Sequence, residues 1–156
     1  MNATFILLEM RRITRDWVGL FFIAVLPAFF FLIFGATLDA KDMTIGNGNI
    51  AMYVMISMAC YGAATATTSI GGQAAIERMQ GWGRQLGLTP FKDSAYVGTK
   101  ALIATAVAAI PILLTFVLGV LLGAKGSTRA WLLSAVICLV GAAVFAVYGI
   151  LVGSRL

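Results

Sequence analysis

Four stretches free of Asp, Glu, Lys and Arg dominate the sequence: residues 17–38, 50–72, 101–123 and 130–153, with lengths of 22, 23, 23 and 24 residues. A helix needs about 20 consecutive apolar residues to cross the hydrocarbon core of a bilayer. Inside hydrocarbon, every backbone N–H and C=O must find its partner within the chain, which helices achieve. Each stretch is long enough, so the sequence reads as an all-α integral membrane protein with four spans in a single transmembrane domain, residues 1–156. Only 11% of residues are charged and 61% are hydrophobic. A soluble domain carries about 25% charged residues, so the composition excludes an ordinary soluble enzyme, a disordered tail and a nucleic-acid-binding domain. The first stretch is too long for a signal-peptide core and shows no cleavage pattern, so it is expected to be retained.

The sparse charges orient the spans. Arg11, Arg12, Arg15, Arg78, Arg84, Lys92, Lys100 and Arg155 fall on one side; Lys41, Lys125 and Arg129 fall on the other. Lys and Arg concentrate in cytoplasmic loops. Both termini are therefore expected in the cytoplasm of a plasma membrane, with a bacterial inner membrane the expected setting. The outer loops, residues 39–49 and 124–129, leave no room for an extracellular domain. Residues 1–16 form a helix with two faces. Ile6, Leu7, Met10, Ile13 and Trp17 share one, and Glu9, Arg11, Arg12, Arg15 and Asp16 the other. Such a helix is expected to lie in the headgroup region of the lipid bilayer.

Residues 73–100 are a long cytoplasmic excursion, far more than two adjacent spans need. Its first half, 74–88, has helical periodicity: Ile76, Met79, Trp82 and Leu86 on one face, Glu77, Gln80, Arg84 and Gln85 on the other. Gly87 and Thr89–Pro90 can stop that helix, because proline disfavours helical geometry in the residue before it. A separate amphipathic helix that docks a partner is expected here, with re-entry into the membrane near Tyr96.

The run Glu77-Arg78-Met79-Gln80-Gly81-Trp82-Gly83-Arg84-Gln85-Leu86-Gly87-Leu88-Thr89-Pro90, followed by Tyr96 and Lys100, resembles the signature of type-2 ATP-binding-cassette exporter permeases. In that family a Glu-Arg pair, a Gly, a basic residue, a Leu and a Thr-Pro recur in this order after the second of six spans, behind a flat N-terminal helix. The likeness extends from the N-terminal helix through the fourth span. It implies a permease subunit, or the N-terminal part of one, whose coupling helix sits in a cleft of a cytosolic ATPase subunit. The residues it implies for that contact are Ile76, Glu77, Arg78, Met79, Trp82, Arg84, Leu86, Thr89 and Pro90. ATP and Mg would be bound by the partner, with no cofactor in this chain. A second permease copy or homologue would complete the assembly. The family's fifth and sixth spans have no counterpart, so a truncated product or one half of a split permease is expected.

Absences in the sequence agree with an external energy source. No Gly-x-x-x-x-Gly-Lys-Ser/Thr loop occurs to cradle ATP. No Asp, Glu, Lys or Arg is expected within a span, so no ionisable residue of the kind that serves ion coupling is expected there, which disfavours a proton- or ion-coupled carrier and an intramembrane hydrolase. No catalytic residue is assigned. The alternative function is a non-transport four-helix membrane adaptor or immunity protein. The chain has no histidine, and Cys60 and Cys138 lie in apolar stretches, so neither a metal site nor a disulfide framework is expected and both thiols read as small buried hydrophobes. Thr65, Thr67, Thr68 and Ser69 are candidates to line a pathway or to bond neighbouring helices. Gly119, Gly123, Gly149 and Gly153 are candidates for close helix packing. Pro27 and Pro111 are candidate kinks.

Overall fold

A computed structural model describes residues 3–81, 88 and 93–155. Among the described residues, the fold is all-α apart from one small hairpin. The amphipathic start forms α1 (Ala3–Arg15). Asp16 ends it and caps α2 (Trp17–Phe31), its Oδ1 accepting the Gly19 N–H at 3.1 Å. An acidic N-cap satisfies an orphan helix donor and complements the positive end of the helix dipole. α2 runs into a π-helical turn, Leu32–Ala36. Next come β1 (Thr44–Ile45) and β2 (Gly48–Asn49), paired antiparallel. Gly46 begins the two-residue turn with φ +55, a position where the primed hairpin turns need glycine. The chain then enters α3 (Ile50–Met79), α4 (Asp93–Leu122) and α5 (Thr128–Arg155). Among the described residues, four helices are long and apolar enough to cross a membrane: Trp17–Ala36, Ile50–Glu77, Ser94–Leu122 and Thr128–Gly153.

Helix boundaries depart from the charge-free stretches in one informative place. α3 does not stop at residue 72 but continues to Met79, and α4 begins at Asp93, eight residues before the apolar stretch. The first part of the expected separate helix, 74–88, is therefore the last turns of α3. The added turns carry Glu77, Tyr96 and Lys100, whose polar atoms are satisfied inside the bundle, so both helices extend past their apolar cores. The candidate spans Ile50–Glu77 and Ser94–Leu122 thus contain buried Glu77 and Lys100, which corrects the expectation that no ionisable residue lies in a span.

α3 lies at the centre and packs on α2, α4 and α5. Its buried residues Met52, Met55, Ala59, Ala63, Ala66, Ile70, Ala74 and Glu77 recur every three or four positions. Alanine dominates that face because lipid tails supply no hydrophobic drive between helices, so association depends on close backbone approach and dispersion. Gly62 marks a close approach of three helices. A Cβ there would come within 2.7 Å of Pro111 Cβ and 2.9 Å of Pro27 Cγ. Neither proline ends its helix. Both rings are buried and converge on Gly62, while Thr115 donates its hydroxyl to the Pro111 carbonyl at 2.7 Å.

α3 and α5 run side by side in constant register. Cys60 meets Cys138, 78 residues on, and the same offset brings Gly71 to Gly149 and Ala75 to Gly153. A Cβ on Gly71 would lie 3.1 Å from the Gly149 carbonyl carbon. Gly119 sits against Met55. Gly123 does not pack a helix: its φ of +99 turns the chain out of α4, a conformation L side chains rarely adopt. Cys138 is buried as expected, but Cys60 is exposed. Phe31 is fully buried, whereas Phe29 and Phe34 are exposed beside it.

At the hairpin end, Asn49 fastens three segments. Its Oδ1 accepts the N–H of Met52 (3.0 Å) and of Lys125 (2.9 Å), and its Nδ2 donates to the Gly123 carbonyl (2.8 Å). Its own N–H donates to the Lys125 carbonyl at 2.9 Å. One buried amide thus caps α3 and holds the α4–α5 loop. The nearby Lys125–Asp42 pair, at 3.3 Å, is exposed on both sides.

Candidate functional site

The chemistry of the chain gathers at the opposite end, where α1, α3 and α4 meet beside the 80–92 connection. Glu77 is the hub. Its side chain is only 7% exposed, yet it accepts three donors: the Arg12 guanidinium from α1, the Lys100 ammonium (3.0 Å to Oε1, 2.9 Å to Oε2) and the Tyr96 hydroxyl (2.9 Å to Oε2), both from α4. Lys100 also donates to Glu9 of α1 and lies 5.8 Å from the centroid of the Tyr96 ring. Its side chain is 1% exposed.

The arrangement is chemically closed. Two carboxylates, Glu9 and Glu77, face two cations, Arg12 and Lys100, so the cluster is neutral as a whole. A buried charge is costly unless it is paired and hydrogen-bonded, and here each charge has a partner on another helix. Glu77–Lys100 joins α3 to α4, Glu9–Lys100 joins α1 to α4, and Arg12–Glu77 joins α1 to α3. Arg12 is 55% exposed, so its link is weakened by solvent.

The helical geometry explains why Glu9 faces inward. Ile6, Glu9, Met10 and Ile13 sit at i, i+3, i+4 and i+7, which is one face of a helix. Ile13 is buried, Met10 packs on the core, and Glu9 follows them into the bundle, whereas Leu7, Leu8 and Trp17 remain exposed. The expectation that Glu9 shares the outward polar face with Arg11 and Arg15 is therefore corrected. This i, i+3, i+4, i+7 spacing was the available sequence signal for the position.

The residues implied for ATPase contact separate. Glu77 turns into the bundle and is not displayed for a partner. Ile76 and Met79 are exposed on the other side of α3. The Arg78 side chain, together with Trp82, Arg84, Leu86, Thr89 and Pro90, lies outside the described residues. Of the four candidate pathway residues, Thr67 is fully buried and bonds the Ala63 and Ala64 carbonyls, both at 3.0 Å. Thr65 and Thr68 donate to the Tyr61 (2.8 Å) and Ala64 (2.7 Å) carbonyls. These hydroxyls thus satisfy their own helix, and Thr67 faces away from the others, so the four do not form one stripe. Ser69 does line a cavity of about 130 Å³ next to the cluster, with Arg12, Asp16, Gln73 and Val107. Sequence reasoning also missed Asn49, whose role depends on a contact 76 residues away.

No protein-family model, no curated protein and no solved structure matches the chain.

Proposed function

We propose that the chain is the membrane-spanning permease subunit, or the N-terminal part of one, of an ATP-driven exporter, set in the plasma membrane with α1 and the 80–92 connection in the cytoplasm. Support comes chiefly from the cluster: Glu77, Tyr96 and Lys100 belong to the family-like run, lie up to 23 residues apart, and meet in one buried constellation. It clamps both ends of the cytoplasmic excursion and binds them to α1. The ends of α3 and α4 then form a rigid base for the 80–92 connection, suited to receive a push from a separate ATPase and pass it to both helices together. Glu77 acts as a positioning residue in this scheme. Ile76, Met79 and Leu88, exposed within the excursion, are described side chains available for an apolar contact.

The test is purification of the tagged chain from its native membranes in mild detergent. A nucleotide-hydrolysing subunit is expected to co-elute, and Trp82→Glu or Met79→Glu is expected to release it while the chain stays folded. Co-elution that survives both substitutions favours the adaptor alternative. A wild-type chain with no ATPase partner defeats the permease proposal.

A further inference from the structure

Midway along the α3–α5 seam, the sulfurs of Cys60 and Cys138 lie 3.0 Å apart. They are the chain's two cysteines. Their meeting is fixed by the helices, since the same offset of 78 residues recurs where Gly71 touches Gly149 and Ala75 touches Gly153. Those glycine contacts hold the backbones close over the three turns that follow. The two thiols differ in access: Cys138 is buried and Cys60 is exposed on the flank of α3, among residues of a candidate span.

We propose that Cys60 and Cys138 are a redox-active thiol pair, and that their oxidation ties α3 covalently to α5. A disulfide needs the sulfurs about 2.05 Å apart, so a shift of roughly 1 Å, within the range of side-chain rotation, completes the bond. In the reaction two S–H bonds break and one S–S bond forms. Two electrons and two protons leave, and a lipid-dissolved quinone that accepts both becomes the hydroquinone. An apolar oxidant in the bilayer reaches Cys60 from the lipid side; Cys138 is reached through Cys60. The tie prevents α3 from sliding along α5 and so fixes the end of α3 that carries Glu77. It operates whichever partner the chain takes.

The experiment uses the full chain in liposomes, treated with a fully substituted quinone, which has no open ring position for sulfur to add to. The protein is then denatured and its thiols are counted by mass-tagged maleimide. Untreated chain is expected to take two tags. Oxidised chain is expected to take none, to migrate as a monomer, to weigh two hydrogens less, and to regain both tags with dithiothreitol. Cys60→Ala is expected to keep its single tag through the same treatment. Two tags after oxidation, a disulfide-linked dimer, or loss of the tag in Cys60→Ala would each overturn the proposal.

Discussion

Replacing Lys100 with methionine keeps most of the side-chain volume and removes one charge from the cluster. The Lys100 ammonium is 1% exposed and serves Glu77 and Glu9 at once. Without it, Glu9 loses the one partner described for it, and Glu77 keeps Tyr96 and the half-exposed Arg12. Removing one member of a buried ion pair costs about 3–5 kcal/mol, because the remaining charge stays desolvated. The loss is measurable by reversible SDS or urea unfolding of the chain in detergent micelles, followed by tryptophan fluorescence. Glu77→Gln in the same background separates a charge effect from a packing effect. The double variant is expected to recover about 1–3 kcal/mol relative to the sum of the single losses, as coupled neighbours do. Additive losses, or a Lys100→Met cost below about 1 kcal/mol, the range of a solvent-screened surface pair, would refute a buried, mutually dependent cluster.

Other outcomes follow from the packing. Gly62→Ala places a methyl between the Pro27 and Pro111 rings and is expected to destabilise by about 1–3 kcal/mol in the same assay. Gly71→Leu should do at least as much by parting α3 from α5, and should also abolish quinone-driven loss of the Cys60 and Cys138 tags. Asn49→Ala leaves the Lys125 N–H and the Gly123 carbonyl without their side-chain partner and is expected to cost about 1–3 kcal/mol. Asp42→Asn removes an exposed pair and is expected to change stability by less than about 1 kcal/mol, checked by the same unfolding curve.

The four long helices are legible because charge-free stretches 17–38, 50–72, 101–123 and 130–153 have the length and polarity a bilayer-crossing helix needs. α1 was legible from its periodicity. Its inward carboxylate was not, because charge alone placed Glu9 with Arg11 and Arg15, while helical phase places it with Ile6, Met10 and Ile13. The sequence leaves Glu77 open between a charged contact to a partner and a hold on neighbouring segments; the structure sets it against Arg12, Tyr96 and Lys100. Nothing local says that a carboxylate at the end of one helix will meet a lysine 23 residues later and an arginine 65 residues earlier. Long-range pairings of this kind also decide Asn49, Cys60 with Cys138, and the two prolines on Gly62. Each depends on register between helices, and a single sequence carries no record of register. Glu77 opens the family-like run 77–90, but Arg12 and Lys100 lie outside that run, and only the packing of α1, α3 and α4 brings them to it.

The most direct measurement is ATP hydrolysis by the complex purified on the tagged chain from native membranes, compared between wild type and Lys100→Met. The permease proposal predicts vanadate-sensitive hydrolysis with the wild-type chain, and with Lys100→Met an ATPase that still co-elutes but is no longer regulated by the tagged chain. Absence of hydrolysis with the wild-type chain, or identical regulation in both, would contradict it.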